Sequence, residues 1–320
     1  MGGLRLRGSR TRRSRRGFLA ATAGTLASTA VAGCIGGGRE PVEVLAAGSL
    51  QAAVDDGLRD ALDDPIALEA RGSAAAARLV ADGQRDPDVL ALADPSLFDR
   101  LLDSPWDATF ATNALCVATA DTPGGRAVSN AADREDADWY DPVLDGTAAL
   151  GRTDPDLDPL GYRTLFALEL AADADDHPGL SEGVLSPDQL YPETALLSQF
   201  ETGALDAAVV YESMAADRGY EFVDLPPAVD LSDPDRADAY ATATYRLPDG
   251  VVVAGDVVEY AAALRSPDDA AAERVFDALV DSATLSAHGF AVPESYPRYR
   301  SSASNVDSNG PSAVPGLAER

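Results

Sequence analysis

The chain has 320 residues, 46% of them hydrophobic and 24% charged, a composition typical of a globular protein rather than a disordered one. Its charge is unbalanced, with 53 Asp and Glu against 25 basic residues, all Arg, for a formal net charge of −28. Such a surface repels nucleic acid and anionic lipid, so neither is expected as a partner. Acidic surfaces without Lys are typical of proteins that work in concentrated salt, where screening removes the self-repulsion. We therefore expect a salt-rich environment.

The N-terminal segment has the features of an export signal. Residues 1–16 carry seven Arg and no acid, and residues 14–19 (Ser-Arg-Arg-Gly-Phe-Leu) resemble a twin-arginine motif. The apolar run that follows, 18–32, is too short and too rich in Ala, Gly and Thr for a membrane-spanning helix. We expect residues 1–33 to be removed on export by the twin-arginine route, leaving 18 basic against 53 acidic residues, a net charge of −35.

The end of this signal resembles a lipobox. Its last residues are Val-Ala-Gly, and Cys34 follows, so the thiol of Cys34 is expected to carry a lipid and to become the new N-terminus. Residues 34–40, which include three consecutive Gly, then form a flexible tether. The predicted location is the outer face of the cytoplasmic membrane, by lipid anchor only. The alternative is a cleaved signal followed by an incidental Cys.

Three strand–loop–helix units follow the tether. Strands are predicted over 42–45, 65–69 and 88–92, and the helices after them over 50–62, 74–81 and 96–102. Successive units of this kind predict a parallel sheet with helices on its faces. Ligands of such sheets bind beyond the carboxyl ends of the strands, where Ser49, Ser73 and Asp94 lie.

The regular alternation ends after residue 106. The predicted strands of this part are 113–120, 147–150, 207–211, 221–225, 240–246 and 250–253. The predicted helices are 139–144, 162–172, 194–200, 212–218 and two that begin at Val257 and Ala270. Cys116 lies in the apolar strand 113–120 and has no partner for a disulfide, since the thiol of Cys34 is expected to carry the lipid; Cys116 is expected to be a buried structural residue.

The length of the chain favours two domains. The change of pattern near Phe110 and the pair Pro226-Pro227 are the expected hinge crossings. Lobe 1 is then predicted to comprise 41–111 and 226–299, with lobe 2, 112–225, inserted into it. The remaining residues, 300–320, are rich in Ser, Asn, Gly and Pro and are expected to form a disordered tail.

An acidic turn in the middle of the chain precedes one of the predicted helices. Asp158 followed by Pro159 is typical of the N-cap and first position of a helix, because Pro has no N–H to lose there. The free N–H groups at a helix start bind anions well. Asp154, Asp156 and Asp158 nevertheless make this segment acidic.

Several motifs occur in an order that resembles one known family. They are Ala47-Gly48-Ser49-Leu50, Arg71-Gly72-Ser73, Gly151-Arg152-Thr153, Asp158-Pro159-Leu160-Gly161-Tyr162-Arg163, Glu193, Val210-Tyr211-Glu212-Ser213, and Leu225-Pro226-Pro227-Ala228-Val229-Asp230-Leu231-Ser232. Across residues 42–240 the chain resembles the archaeal molybdate/tungstate-binding proteins of ABC importers. The resemblance implies an α/β, two-lobed fold like that of type II periplasmic binding proteins. Each lobe would be a mixed sheet flanked by helices, with the ligand in the cleft between them.

The resemblance also implies the function and the partners. The protein would be a monomeric binding protein, not an enzyme, that hands molybdate or tungstate to an ABC permease and its ATPase without a cofactor. Matching the motifs residue by residue gives five ligand-binding residues: Ser49, Ser73, Asp158, Glu193 and Tyr211. In this family two carboxylates coordinate the metal of the oxyanion, and these are Asp158 and Glu193 here.

Each of these residues also has a purely structural interpretation. Asp158, Ser49 and Ser73 are ordinary cap residues, Glu193 is well placed against the helix dipole whatever its function, and Tyr211 near a strand end is often a packing residue. Two other functions stay open as well. One is binding of sulfate, phosphate or another small solute, and the other is hydrolysis by Asp158 and Glu193 as an acid–base pair. No Lys is present for a P-loop, and no His/Cys cluster indicates a bound metal cation.

Overall fold

The computed structural model describes residues 39–301, with the exception of residue 103. The predicted signal peptide, the lipidation of Cys34, most of the tether and all but the first two residues of the predicted tail therefore lie outside the described residues. Arg300 and Ser301, where that tail was predicted to begin, belong instead to a strand. Within the described part, no helix has the length and hydrophobicity needed to cross a bilayer.

The first sheet has six strands, three of which are the strands of the predicted strand–loop–helix units. Its strands are β1 (Val42–Ala47), β2 (Ile66–Arg71), β3 (Val89–Leu92), β4 (Trp106–Thr112), β12 (Glu259–Leu264) and β13 (Arg298–Ser301). The order across the sheet is β13-β4-β12-β3-β1-β2, with β1 parallel to both β2 and β3. β12 runs antiparallel to its neighbours β3 and β4. The carboxyl ends of β1, β2 and β3 therefore lie at one edge, as predicted.

The second sheet has five strands, all from the middle of the chain. They are β5 (Leu115–Thr119), β6 (Leu150–Thr153), β7 (Leu190–Tyr191), β8 (Ala207–Tyr211) and β9 (Glu221–Asp224), in the order β7-β6-β8-β5-β9. β6 is parallel to β7 and β8, whereas β5 is antiparallel to β8 and β9. A separate hairpin joins β10 (Thr244–Arg246) to β11 (Val252–Ala254). The fold is α/β with a mixed sheet in each of two lobes, as expected.

Helices flank both sheets. They are α1 (Arg59–Ala61), α2 (Ser73–Ala81), α3 (Pro123–Ala132), α4 (Asp141–Leu144), α5 (Pro159–Ala174), α6 (Leu180–Val184), α7 (Glu193–Glu201), α8 (Glu212–Arg218), α9 (Ala237–Tyr240), α10 (Ala270–Leu279) and α11 (Ser282–Ala287). The predicted helix 50–62 is irregular, with a 3₁₀ turn at Gly48–Leu50 and a π-helical segment at Ala53–Leu58 before α1. The predicted helix 96–102 is a π-helical turn at Phe98–Leu102.

Two predictions of element type were wrong. The helix predicted from Val257 is the strand β12, and the predicted strand 240–246 begins with the end of helix α9. Three consecutive Ala in β12 favour a helix locally, but tertiary contacts prevail because β12 lies buried between β3 and β4. The strand β4 was not predicted.

The position of β6 also differs from its prediction. The predicted strand 147–150 lies instead at Leu150–Thr153, so the segment Gly151-Arg152-Thr153 belongs to the strand and not to the turn after it. Pairing sets this register: Leu150 and Gly151 pair with β8, and Arg152 and Thr153 pair with β7. As a consequence the side chain of Thr153 ends a strand at the carboxyl edge of the second sheet.

Candidate functional site

The carboxyl edges of the two sheets face each other, and the predicted site residues follow the strands that end there. Ser49 comes after β1, Ser73 after β2, Glu193 after β7, and Tyr211 is the last residue of β8. Asp158 follows β6 through a short turn. All five side chains are at least nine-tenths buried. The structure therefore brings the five predicted residues together in one buried cluster between the lobes.

Glu193 of lobe 2 is bonded directly to the first turn of lobe 1. Its Oε2 accepts the N–H of Gly48 at 2.8 Å, and its Oε1 accepts the N–H of Ser49 at 3.0 Å. Gly48 permits this approach, because a Cβ there would lie 2.4 Å from Oε2. Burial raises the pKa of Glu193 well above its usual range, and the nearby charge of Asp158 raises it further. The two N–H bonds act in the opposite direction and favour the carboxylate.

Asp158 is the N-cap of α5, as predicted, and Pro159 is the first residue of that helix. Its Oδ1 accepts the N–H of Leu160 at 3.2 Å, whereas the buried Oδ2 has no hydrogen-bond partner. Burial raises the pKa of Asp158 to about 6, against the opposing effect of the Leu160 bond. One oxygen of this carboxylate thus caps a helix, and the hydroxyl of Thr153 also acts on the carboxylate by lowering its pKa.

The other two acids of the turn have structural partners. Asp154 accepts the N–H of Asp156 at 2.9 Å, which closes the turn on itself. Asp156 accepts the hydroxyl of Tyr245 at 2.6 Å. The structure therefore explains why the predicted anion-binding segment is acidic. Asp154 and Asp156 stabilise the turn, and Asp158 is the acid that faces the cleft.

Ser73 opens α2 in lobe 1, beside the turn of lobe 2. Its hydroxyl oxygen accepts the N–H of Ala93 at 2.9 Å and keeps its own proton available for donation. The preceding residue, Gly72, lies against the turn of lobe 2, where a Cβ would come within 2.5 Å of the carbonyl oxygen of Leu157. The N–H of Ala75 donates to that same carbonyl at 3.0 Å. The start of α2 is thus packed directly against the chain that leads to Asp158.

The hydroxyl of Tyr211 accepts a hydrogen bond from Arg163 at 2.8 Å. Arg163 is buried and also donates to the carbonyl of Ala93 in lobe 1 at 2.6 Å. Its charge lowers the pKa of Asp158, although less than burial raises it. Arg163 therefore supplies a fixed positive charge near Asp158. Sequence reasoning assigned it no role although it lies in the motif of Asp158.

Tyr260 is a second residue that the sequence did not indicate. It lies in β12, its hydroxyl donates to Ser49 Oγ at 3.0 Å, and its ring packs edge-on against Tyr211 at 6.0 Å. Asn113, where the chain crosses from β4 to β5, donates to Ser213 at 2.7 Å and more weakly to the Tyr260 hydroxyl. Tyr260 lies beyond the part of the chain that carries the family motifs, so no signal in the sequence identified it.

A cavity of about 460 Å³ opens onto Asp158 and Glu193 from the cleft. Its walls come from both lobes and include Arg71 and Ala75 of lobe 1 and Tyr191 and Thr194 of lobe 2. Among the described residues, no group of three or more His, Cys, Asp or Glu is arranged to hold a metal cation. The arrangement is suited to a small ligand that accepts hydrogen bonds and also bonds to carboxylate oxygens.

Comparison with known proteins gives consistent results. The family described as bacterial extracellular solute-binding protein matches residues 42–290. A Haloferax volcanii protein, provisionally described as an ABC transporter molybdenum-binding protein, is 55% identical over 296 residues, which are 90% of this chain and 95% of that protein. A molybdate/tungstate-binding protein of Thermococcus kodakarensis is 28% identical over 201 residues, 54% of this chain and 55% of that protein.

The solved structures support the fold. The periplasmic molybdate-binding protein of Azotobacter vinelandii superposes with a TM-score of 0.50 at 12% identity, covering 79% of this chain and all of that one. At such low identity the likeness concerns the fold alone, and it confirms the two-lobed α/β architecture. Because the family match spans both lobes, the chain belongs to the bacterial extracellular solute-binding proteins, a family of binding proteins and not of enzymes.

Proposed function

We propose that this protein captures molybdate or tungstate outside the cytoplasmic membrane and delivers it to an ABC permease and its ATPase. The observation that carries the proposal is a pair of buried carboxylates, Asp158 and Glu193, in a cleft that also presents backbone N–H groups, hydroxyl groups and the charge of Arg163. The names of the Haloferax volcanii and Thermococcus kodakarensis relatives agree with this ligand.

Each site residue has a separate role in this proposal. Ser49 and Ser73 donate hydrogen bonds to oxygens of the anion, and Tyr211 contributes to the wall of the site. Asp158 and Glu193 bond to the metal atom, raising its coordination number towards six. Asp158 Oδ2 is free for such a bond, and each oxygen of Glu193 keeps a second lone pair beside its N–H bond.

Magnitudes explain why this arrangement would be selective. A dianion about 4 Å from one carboxylate is repelled by roughly 8 kcal/mol at an effective dielectric constant of about 20. Hydrogen bonds to a charged acceptor return about 1.5–3 kcal/mol each, and Arg163 adds attraction. Bonds from carboxylate oxygen to molybdenum or tungsten supply the remainder. Sulfate meets the same repulsion and gains no such bonds, because sulfur does not expand its coordination in this way.

The location and the division into lobes belong to the same proposal. Export by the twin-arginine route and a lipid on Cys34 would hold the protein on the outer face of the membrane, as a monomer in a salt-rich medium. Lobe 1 (41–111 and 226–299) and lobe 2 (112–225) would hinge about the two chain crossings and close on the ligand.

Elemental analysis of the purified protein is the first test. The protein is incubated with equal concentrations of molybdate, tungstate, sulfate and phosphate, dialysed, and analysed for molybdenum, tungsten, sulfur and phosphorus above the protein background. We expect close to one molybdenum or tungsten per chain. Phosphorus or added sulfur in place of both metals would identify another oxyanion as the ligand.

Two classes of variants test the roles of the residues. Asp158→Ala and Glu193→Ala remove both a bond and a repulsion, so molybdate binding should fall while sulfate binding stays flat or rises. Ser49→Ala should weaken every oxyanion alike, by about 1–3 kcal/mol for a lost charge-assisted hydrogen bond. Calorimetry with all three anions measures both effects. Undiminished molybdate affinity in the carboxylate variants would mean that these residues are helix caps only.

A further inference from the structure

Two side chains of lobe 1 hold the turn 154–157, which leads to Asp158 in lobe 2. The hydroxyl of Tyr245, in β10, donates to Asp156 Oδ1 at 2.6 Å. Arg78, in α2, donates from Nη1 to the carbonyl oxygen of Asp156 at 2.7 Å. Burial and the bond to Asp156 raise the pKa of Tyr245 to about 12, so the phenol keeps its proton and remains a donor at neutral pH. Lobe 1 thus binds Asp156 at both its side chain and its backbone.

The two donors are also connected to each other within lobe 1. Arg78 Nε donates to Asp249 Oδ2 at 2.8 Å, and these side chains are only 22% and 28% exposed. Asp249 lies between β10 and β11, in the same hairpin as Tyr245. This hairpin is separate from both main sheets. The bond to Arg78 therefore joins it to α2, and the two elements together face the turn of lobe 2.

The turn reaches the ligand cavity, whereas the two donors do not. Asp154, Leu157 and Asp158 line the cavity, and neither Arg78 nor Tyr245 is among its lining residues. Any effect of these donors on a ligand in this cavity must therefore pass through the turn. Binding residues have to be held within about 0.5 Å of their productive positions, and the residues that support them supply this precision.

We propose that Arg78 and Tyr245 are positioning residues: by holding the turn 154–157 from lobe 1, they fix the Asp158 carboxylate against the bound anion and slow the release of that anion. This inference rests on the proposed function. Both bonds join lobe 1 to lobe 2, so they must break before the cleft can open. They act after capture, and the rate of release depends on them more than the rate of association.

Stopped-flow fluorescence with molybdate tests the inference. Tyr245→Phe removes one hydroxyl and should raise the release rate by about 10-fold, as for one lost charge-assisted hydrogen bond, with the association rate within about 2-fold of the parent. Arg78→Met keeps the aliphatic stem and should also speed release. A release rate like that of the parent in either variant would overturn the inference.

Tyr140→Phe is the matched control. The Tyr140 hydroxyl donates to Asp138 at 2.9 Å and to Asp175 at 3.2 Å, and all three residues lie in lobe 2. This variant also loses a phenol bonded to carboxylate, so its melting temperature without ligand should fall about as much as that of Tyr245→Phe. Its release rate should nevertheless equal that of the parent. Equally fast release from both variants would show that lost stability is the cause, and it would overturn the inference.

A double variant tests whether Tyr245 acts through the turn. Asp156→Ala removes the acceptor of the Tyr245 hydroxyl and should itself speed release. In that background, Tyr245→Phe should change the release rate by less than about 2-fold, because residues that share one interaction are not additive. The full effect of Tyr245→Phe in the Asp156→Ala background would show that Tyr245 acts elsewhere, contrary to the inference.

Hydrogen exchange of the ligand-free protein separates this inference from the proposed function. The N–H groups of Leu157 and Asp158 both donate to the carbonyl of Asp154, at 3.1 and 3.0 Å. They should exchange several-fold faster in Tyr245→Phe and at the parent rate in Tyr140→Phe. Unchanged exchange in Tyr245→Phe would overturn the inference, whatever the protein binds. Failure of the parent to bind molybdate or tungstate would instead overturn the proposed function.

Discussion

At the scale of single residues, the site combines acids with groups that bind anions. Glu193 is held by two backbone N–H groups of the opposite lobe, so part of its charge is already compensated. Asp158 caps helix α5 with its Oδ1, whereas its Oδ2 accepts no hydrogen bond of normal geometry. Positions 48 and 72 both require Gly, because a side chain on either residue would collide with the facing lobe. At these two glycines the backbone of lobe 1 therefore contacts lobe 2 directly.

The buried Asp158 predicts how stability depends on pH. Its pKa is raised from 3.8 to about 6, so between these values the folded chain holds a proton that the unfolded chain has released. The free energy of unfolding then decreases as pH rises through this window and stays lower above it, by about 3 kcal/mol at pH 7. Asp158→Asn keeps the helix cap and removes this titration. It also removes the charge that raises the pKa of Glu193, which acts in the same direction.

We therefore expect Asp158→Asn to be about as stable as the parent at pH 4 and more stable at pH 7. Urea unfolding of both ligand-free proteins at pH 4, 5, 6 and 7, at one constant salt concentration, measures the difference. Each protein gives a curve of the free energy of unfolding against pH. Equal values for the two proteins at pH 4 are the internal control, because they show that Asn itself causes no strain. Curves that stay parallel from pH 4 to pH 7 would contradict a raised pKa at Asp158.

At the scale of elements, the start of α5 joins the two lobes. Tyr162 and Arg163, in the first turns of this helix, bind Asp94 and the carbonyl of Ala93 at the end of β3. The N–H of Ala93 donates to Ser73, which places a residue of the predicted site in the same set of bonds. α5 belongs to lobe 2 and β3 to lobe 1, so these contacts form only where the lobes meet.

Tyr162→Phe should shift the equilibrium between the closed and open arrangements of the lobes towards the open one. It removes a hydrogen bond to a buried carboxylate, which is typically worth about 1.5–3 kcal/mol. Since apparent affinity falls with the fraction of molecules in the binding-competent state, molybdate should bind roughly 10-fold more weakly for each 1.4 kcal/mol lost from the closed form. Calorimetry measures the affinity, and small-angle scattering of the ligand-free variant reports any opening.

Tyr220→Phe is the control for this prediction. The Tyr220 hydroxyl also donates to a carboxylate, that of Glu201, but both residues lie in lobe 2. This variant should keep the affinity of the parent. Equal affinity for molybdate in Tyr162→Phe and Tyr220→Phe would show that the Tyr162 contact does not contribute to closure.

At the scale of the whole molecule, the net charge determines the salt concentration at which binding should be measured. The chain has a formal net charge of −28, which removal of the predicted signal would increase to −35, so the compact chain repels itself. Salt weakens that repulsion over distances greater than about 10 Å at 0.1 M. The buried site is screened far less than the surface. Binding measurements at molar salt therefore preserve the electrostatics of Asp158, Glu193 and Arg163 while relieving the repulsion across the surface.

The proposed lipid anchor on Cys34 would determine where the whole molecule is located. Cys34→Ala removes the thiol that would carry the lipid, and it should release the protein from the membrane into the medium. Fractionation of cells that express either form, with detection in membrane and medium, measures the change. A conservative replacement elsewhere in the tether, Ile35→Val, should leave the protein on the membrane. Retention of the Cys34→Ala variant there would rule out the lipobox interpretation.

The sequence by itself determined the features that depend on neighbouring residues. Alternating apolar runs and polar turns predicted the parallel strands β1, β2 and β3, because each unit is defined within about 30 residues. The pair Asp158-Pro159 predicted the start of α5 for a local reason, since capping involves only the first turn. The order of the family motifs selected all five residues that the structure then brings together.

The tertiary structure decided what depends on distant partners. The Ala-rich segment Glu259–Leu264 is a strand because β3 and β4 lie on either side of it, and nothing in its own residues indicates this. Glu193 meets the N–H groups of Gly48 and Ser49 although 144 residues separate Glu193 from Ser49. Thr153 belongs to β6 because it pairs with Tyr191 of β7, a partner that the predicted strand 147–150 could not reveal. Strand order and lobe contact fix these positions, and both arise from long-range packing.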